Sequence, residues 1–152
     1  MENFCINVIE MNEYSPHYNF NNTEKLKLLL IDSSELILSR IKDMLRDYSF
    51  VGNIVTSTKI TNIIKLIEEI SPDALIIDIS TYNHNSIQVV QSIKKIYPSV
   101  KVIMQTNLSE QYYNYYKWLF EQLGADYFID KSNEFDLLQD ILKEIHENKK
   151  RH

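Results

Sequence analysis

Five polar residues in this chain follow short, largely apolar runs. Asp32 and Ser33 follow "LLLI", Asp78 follows "ALII", Thr106 follows "VIMQ", and Lys131 follows "YFID". Two carboxylates placed close together repel, and they stay ionised only beside a cation. Oxygen ligands of this kind suit Mg²⁺, which keeps several waters and shares its shell with phosphate. A carboxylate is also a nucleophile that can take a phosphoryl group as an acyl phosphate. That transfer needs positioning and charge neutralisation more than covalent help. Mg²⁺ and the Lys131 ammonium would supply positive charge, and the Thr106 hydroxyl would donate to a phosphoryl oxygen. Asp78 would attack, because it closes the third of five strands and so sits centrally.

The elements that must carry these residues can be read from periodicity. Leu26–Ile31 is a short, fully apolar run, as expected for a strand buried on both faces. Phe50–Ser57, Ala74–Ile77, Lys101–Gln105 and Tyr127–Ile129 read as further strands. Ser34–Asp47, Thr61–Ile70, Ile87–Tyr97, Ser109–Leu123 and Asn133–Glu147 have helical spacing. Pro98 stops the third helix, and Gly124 closes the fourth as a left-handed cap. Strand and helix alternate five times, which implies a five-stranded parallel sheet with helices on both faces, an α/β doubly wound fold. In such an open sheet, ligands bind outside the carboxyl ends of the strands. Asp32, Asp78, Thr106 and Lys131 all stand at those ends.

Residues 1–24 are poorly patterned and read as an N-terminal arm or linker, although Phe4–Ile9 could pair as a strand. Residues 25–152 form the domain. At 152 residues the chain suits one domain with a real core. It is 44% hydrophobic and 24% charged, unlike a disordered chain. Its apolar runs fall far short of the ~18 residues of a membrane span. The start, Met1-Glu2-Asn3, lacks the basic residues of a signal peptide, so the expected location is cytoplasmic. Cys5 alone permits neither an internal disulfide nor a multi-cysteine zinc site. The net charge of −5 argues against direct nucleic-acid binding. The tail Lys149-Lys150-Arg151-His152 reads as a solvated helix end. His17, His84, His146 and His152 lack ligand spacing and receive no function.

Taken together, "LLLIDSS", "PDALIIDIS", "VIMQT" and "GADYFIDKS" resemble the response regulator receiver domain, the phosphoacceptor module of two-component signalling. The resemblance covers about residues 26–147. It implies the flavodoxin-like (βα)5 fold and phosphorylation of Asp78 by a histidine kinase or phosphotransfer protein. It implies Mg²⁺ held by Asp32, Asp78 and the backbone carbonyl of Ser80. It also implies a switch pair, Thr106 and Phe128, in which the hydroxyl moves to the phosphate and the aromatic ring follows inward. Receiver domains are phosphoacceptors that can assist their own phosphorylation and dephosphorylation, not enzymes acting on a separate substrate. With only five residues after Glu147, the expectation is a single-domain regulator that signals by contact with a downstream protein target or as a homodimer.

The departures from the family pattern are specific. Ser33 replaces the usual second acid, and the missing charge would have attracted each unit of cation charge by roughly 1–4 kcal/mol. Glu35 lies nearby in sequence. Thr81-Tyr82 and Ser86 stand where Met-Pro and Gly are usual, Asn107 where a small residue is usual, and Ser132 where Pro is common. These changes keep open an alternative, a pseudo-receiver that holds the fold and binds partners without being phosphorylated. A phosphatase of the haloacid dehalogenase type would need a second acid two residues after Asp78, where Ser80 stands. A flavin carrier would need a phosphate-cradling loop with glycine, which "IDSSEL" lacks. The aromatic stretch Tyr112–Phe120 leaves a surplus over one helical stripe. With Tyr112, Tyr116, Leu119 and Leu123 assigned to the core, Tyr113, Tyr115 and Trp118 become a candidate interaction surface.

Overall fold

The computed structural model describes residues 24–79, 85–132 and 135–151. The elements run β1 (Leu26–Ile31), α1 (Glu35–Arg46), β2 (Val51–Ser57), α2 (Ile63–Ile70), β3 (Ala74–Asp78), α3 (Asn85–Ile96), β4 (Lys101–Thr106), α4 (Glu110–Gln122), β5 (Tyr127–Asp130) and α5 (Phe135–Lys149). The strands form one sheet in the order β2-β1-β3-β4-β5, and every pairing is parallel. Period-2 alternation sends successive side chains to opposite faces. Leu28, Leu30, Ile76, Ile103 and Ile129 pack with α1 and α5. Leu29, Ile31, Leu75, Ile77, Val102, Met104 and Phe128 pack with α2, α3 and α4. Both faces of the central strands are buried, which is why they read as unbroken apolar runs.

Caps and ion pairs fix the helices against this sheet. Ser34 caps α1, its hydroxyl oxygen accepting from Ile37 N at 3.3 Å, so Asp32 is not needed as the cap. Gly124 follows α4 with φ +96°, the left-handed cap expected from sequence. At the amino-terminal ends of the strands, Asp126 accepts from Lys94 Nζ (2.8 Å), Lys101 Nζ (3.0 Å) and Val102 N (2.9 Å). Asp73 accepts from Lys27 N at 2.8 Å and Lys149 Nζ at 2.9 Å, tying the last turn of α5 to the start of β3. On that rim both acids are paired with lysines.

One register differs from the sequence expectation. On α4 the residues facing the sheet are Tyr113, Tyr116, Phe120 and Leu123, and Phe120 is fully buried. Tyr112, expected in the core, is exposed, as are Tyr115 and Trp118. The correction also moves Tyr113 out of the exposed set. Its ring meets Phe128 edge-on at 5.2 Å, and its hydroxyl donates to the Phe128 carbonyl at 3.4 Å. The i, i+3, i+7, i+10 stripe beginning at Tyr113 reaches the fully apolar Phe120, which the stripe beginning at Tyr112 does not.

Candidate functional site

The carboxyl ends of β1, β3 and β5 bring Asp32, Asp78 and Lys131 together. Lys131 Nζ lies 2.5 Å from Asp32 Oδ2 and 2.8 Å from Asp78 Oδ1. The three side chains are almost sealed, at 10%, 6% and 2% exposure for Lys131, Asp32 and Asp78. Local structure explains the convergence. Asp32 is the first residue past β1, and its Oδ1 accepts from Ser34 N at 2.9 Å, which turns the chain into α1. Asp78 ends β3. Lys131 continues the β4–β5 ladder, its N–H donating to Thr106 O at 2.8 Å, and its long stem crosses the end of β4 to reach Asp78. One ammonium between two carboxylates leaves the cluster with a net charge of −1. Such a buried group persists only with close, well-directed partners.

Thr106 ends β4 and is fully buried. Its Oγ1 accepts from Leu108 N at 3.1 Å, so it shapes the loop into α4 and keeps its hydroxyl proton for donation. Phe128 faces the α4 side of the sheet. It is buried and stacks on Phe120 at 6.2 Å beneath the edge of Tyr113. Two of the unusual positions meet across the rim, Ser132 Oγ donating to Asn107 Oδ1 at 3.4 Å. Ser33 is exposed. Glu35 is also exposed and lines a groove with Lys42, Lys59 and Asn62 between α1 and the start of α2. Ser80, Thr81, Tyr82, His17, His84 and His152 lie outside the described residues, as does the side chain of Ser86, and so does most of the arm read at residues 1–24.

The donor set can be judged for Mg²⁺. No group of three or more His, Cys, Asp or Glu side chains converges among the described residues. Asp32 and Asp78 nevertheless offer hard carboxylate oxygens in a pocket of net negative charge, and Mg²⁺ is commonly held by one or two carboxylates plus waters and phosphate. The pair fits that mode. Bound there, the ion would supply charge neutralisation for a phosphoryl group.

One residue of the rim was missed from sequence. Gln105 is 1% exposed and is the direct cross-strand partner of Asp78. Its signal was an amide directly after the apolar run "VIM", at a strand position where both faces are covered.

Comparison with known proteins decides the family. The family model described as "Response regulator receiver domain" matches residues 28–143. The chain belongs to the response regulator receiver domain family. This receiver domain is 27% identical over 127 residues to a protein-glutamate methylesterase/protein-glutamine glutaminase of Clostridium acetobutylicum. The match covers 80% of this chain and 36% of that relative, so the chain spans about a third of its length. Among solved structures, the receiver domain of the putative response regulator NarL from Mycobacterium tuberculosis aligns with TM-score 0.65 at 17% identity. That alignment covers 78% of this chain and 97% of the other. The isolated receiver domain of RcsB from Salmonella enterica, solved with the phosphomimetic BeF3⁻, aligns with TM-score 0.62 at 18% identity, over 72% and 79%. These likenesses bear on the fold. Receiver domains in general are phosphoacceptor signalling modules that interact with histidine kinases and downstream effectors and bind Mg²⁺ at an acidic site. No described helix is long and apolar enough to cross a membrane.

Proposed function

We propose that this receiver domain accepts a phosphoryl group on Asp78 from a histidine kinase or phosphotransfer protein and signals by protein–protein contact. The observation that carries the reading is the Lys131 ammonium seated between Asp32 and Asp78 at the carboxyl rim, beside Thr106. An O–P bond forms at Asp78 as the bond from phosphorus to the donor's leaving group breaks, and the electron pair leaves with that group. Lys131 offsets the charge that arrives, and Thr106 donates its hydroxyl proton to a phosphoryl oxygen. Asp78 Oδ1 is sealed from solvent beside Lys131. Asp32 and Asp78, with the Ser80 carbonyl implied by the family, would hold Mg²⁺. The exposed outer face of α4, with Tyr115 and Trp118 joined by Tyr112, is the contact surface for a partner or a second copy.

A second reading has its own support. Ser33 is exposed in place of an acid, and Lys131 already pairs with both carboxylates. A pocket with one acid fewer to attract Mg²⁺ suits a pseudo-receiver that binds partners unphosphorylated. Intact mass after incubation with acetyl phosphate and Mg²⁺, beside an Asp78→Asn control, separates the two. One added phosphoryl group on the parent, absent from the control, supports the first reading. No addition across a broad Mg²⁺ range, and none from a phosphorylated kinase, supports the second.

A further inference from the structure

Gln105 and Asp78 are aligned partners on adjacent strands, which lie about 5 Å apart. Alternation places them on the same face, because Ile103 and Ile76, each two residues earlier, both pack on the α1/α5 side. On its other flank Gln105 is aligned with Ile129, two residues before Lys131. The Lys131 stem therefore passes over the strand that holds Gln105 on its way to Asp78. Gln105 is buried next to Asp78 in the sheet, and its Nε2 donor meets no acceptor among the described residues. A buried donor left unpaired works against folding, and an apolar side chain of similar shape would serve the fold better. A polar group retained there points to an acceptor present in another state of the site.

We infer that Gln105 is a phosphoryl-positioning residue whose side-chain amide donates to the phosphorylated Asp78 group. The inference rests on the reading of Asp78 as the phosphoacceptor. Phosphorylation turns a carboxylate of charge −1 into an acyl phosphate of charge near −2 and adds phosphoryl oxygens that accept strongly. The cluster, already at −1, becomes more negative while it lacks the acid that Ser33 replaces. Lys131 and Thr106 supply two donors, and Gln105 adds a neutral one from the opposing strand without entering the ion pair.

The test uses Gln105→Met and Gln105→Leu, which remove the donors and keep an apolar filler. Beryllofluoride with excess Mg²⁺ is the phosphoryl probe, titrated against thermal midpoint, and aspartyl-phosphate lifetime is read by intact mass. Both variants are expected to bind beryllofluoride about three- to tenfold more weakly than the parent, the effect of one lost hydrogen bond. Their acyl phosphate should have an altered lifetime, and their unliganded midpoint should be unchanged or raised. Unchanged affinity and lifetime in variants of a parent that does bind would overturn the role of Gln105 and leave the Asp78 reading standing. Variants that only lose unliganded stability would make Gln105 structural and also overturn it. A parent that binds no beryllofluoride and gains no phosphoryl mass overturns both readings together.

Discussion

Replacing Lys131 by Met is the most direct perturbation of the rim. The substitution keeps most of the stem and removes the ammonium that lies 2.5 Å from Asp32 and 2.8 Å from Asp78. Two carboxylate oxygens that share one ammonium lie within about 5 Å of each other, and at an effective dielectric of ~20 their charges repel by about 3 kcal/mol. The ammonium offsets that repulsion in the parent, and removing one partner of a buried ion pair costs about 3–5 kcal/mol in all. Set against a typical total of ~5–15 kcal/mol, the variant should unfold earlier by on the order of 10 °C. Urea melts near neutral pH would measure it, with Asp32→Asn/Lys131→Met as the companion. The double variant removes one of the two opposed charges and should regain a large part of the loss. Mg²⁺ should raise the stability of Lys131→Met more than that of the parent, because the cluster then carries −2 in place of −1. If Lys131→Met matches the parent to within about 1 kcal/mol, or if Asp32→Asn makes it worse, the argument that Lys131 neutralises a buried acidic pair fails.

Two further outcomes are expected. Burial pushes the Asp126 carboxyl up, but hydrogen bonds from Lys94, Val102 N and Lys101 outweigh it and hold the group below its ordinary 3.8. Its contribution to stability is therefore fully present above that unfolded-state value and is lost as pH falls through the lower folded value. Asp126→Asn should lower stability at neutral pH and flatten the decline below about pH 4; melts that run parallel to the parent at all pH values would contradict this. On α4, Trp118→Ala should weaken self-association of the beryllofluoride-loaded protein by about tenfold or more, as loss of a central aromatic contact does. An unchanged sedimentation profile would remove this face as a self-contact.

Most of the fold was legible because a parallel sheet writes itself plainly. Strands buried on both faces become unbroken apolar runs, and the residue that ends each run falls on the carboxyl rim of the sheet. Asp32, Asp78, Thr106 and Lys131 were singled out in that way, and the structure brings Asp32, Asp78 and Lys131 into contact and ends β4 at Thr106. α4 was harder for a physical reason. With aromatic side chains at Tyr112, Tyr113, Tyr115, Tyr116 and Trp118, polarity no longer separates the inner stripe from the outer, and only Phe120 pins the register. Gln105 was missed because a single amide in an apolar run gives no hint of what stands opposite it; the pairing of β3 with β4 supplies that. Glu35 was left undecided, since the first turn of a helix can face either way. It faces the groove towards α2.

The placement of Trp118 has a practical consequence. It is the chain's one tryptophan, more than half exposed on the outer side of α4. The inner side of the same helix presses Tyr113 and Phe120 onto Phe128, two residues beyond which β5 ends and three beyond which Lys131 begins its reach to Asp78. Tryptophan emission from this protein is therefore a single-site optical signal, with no second indole to dilute it. Its colour and quenching report the solvent face of one helix whose other face is bolted to the strand leading to the acidic rim.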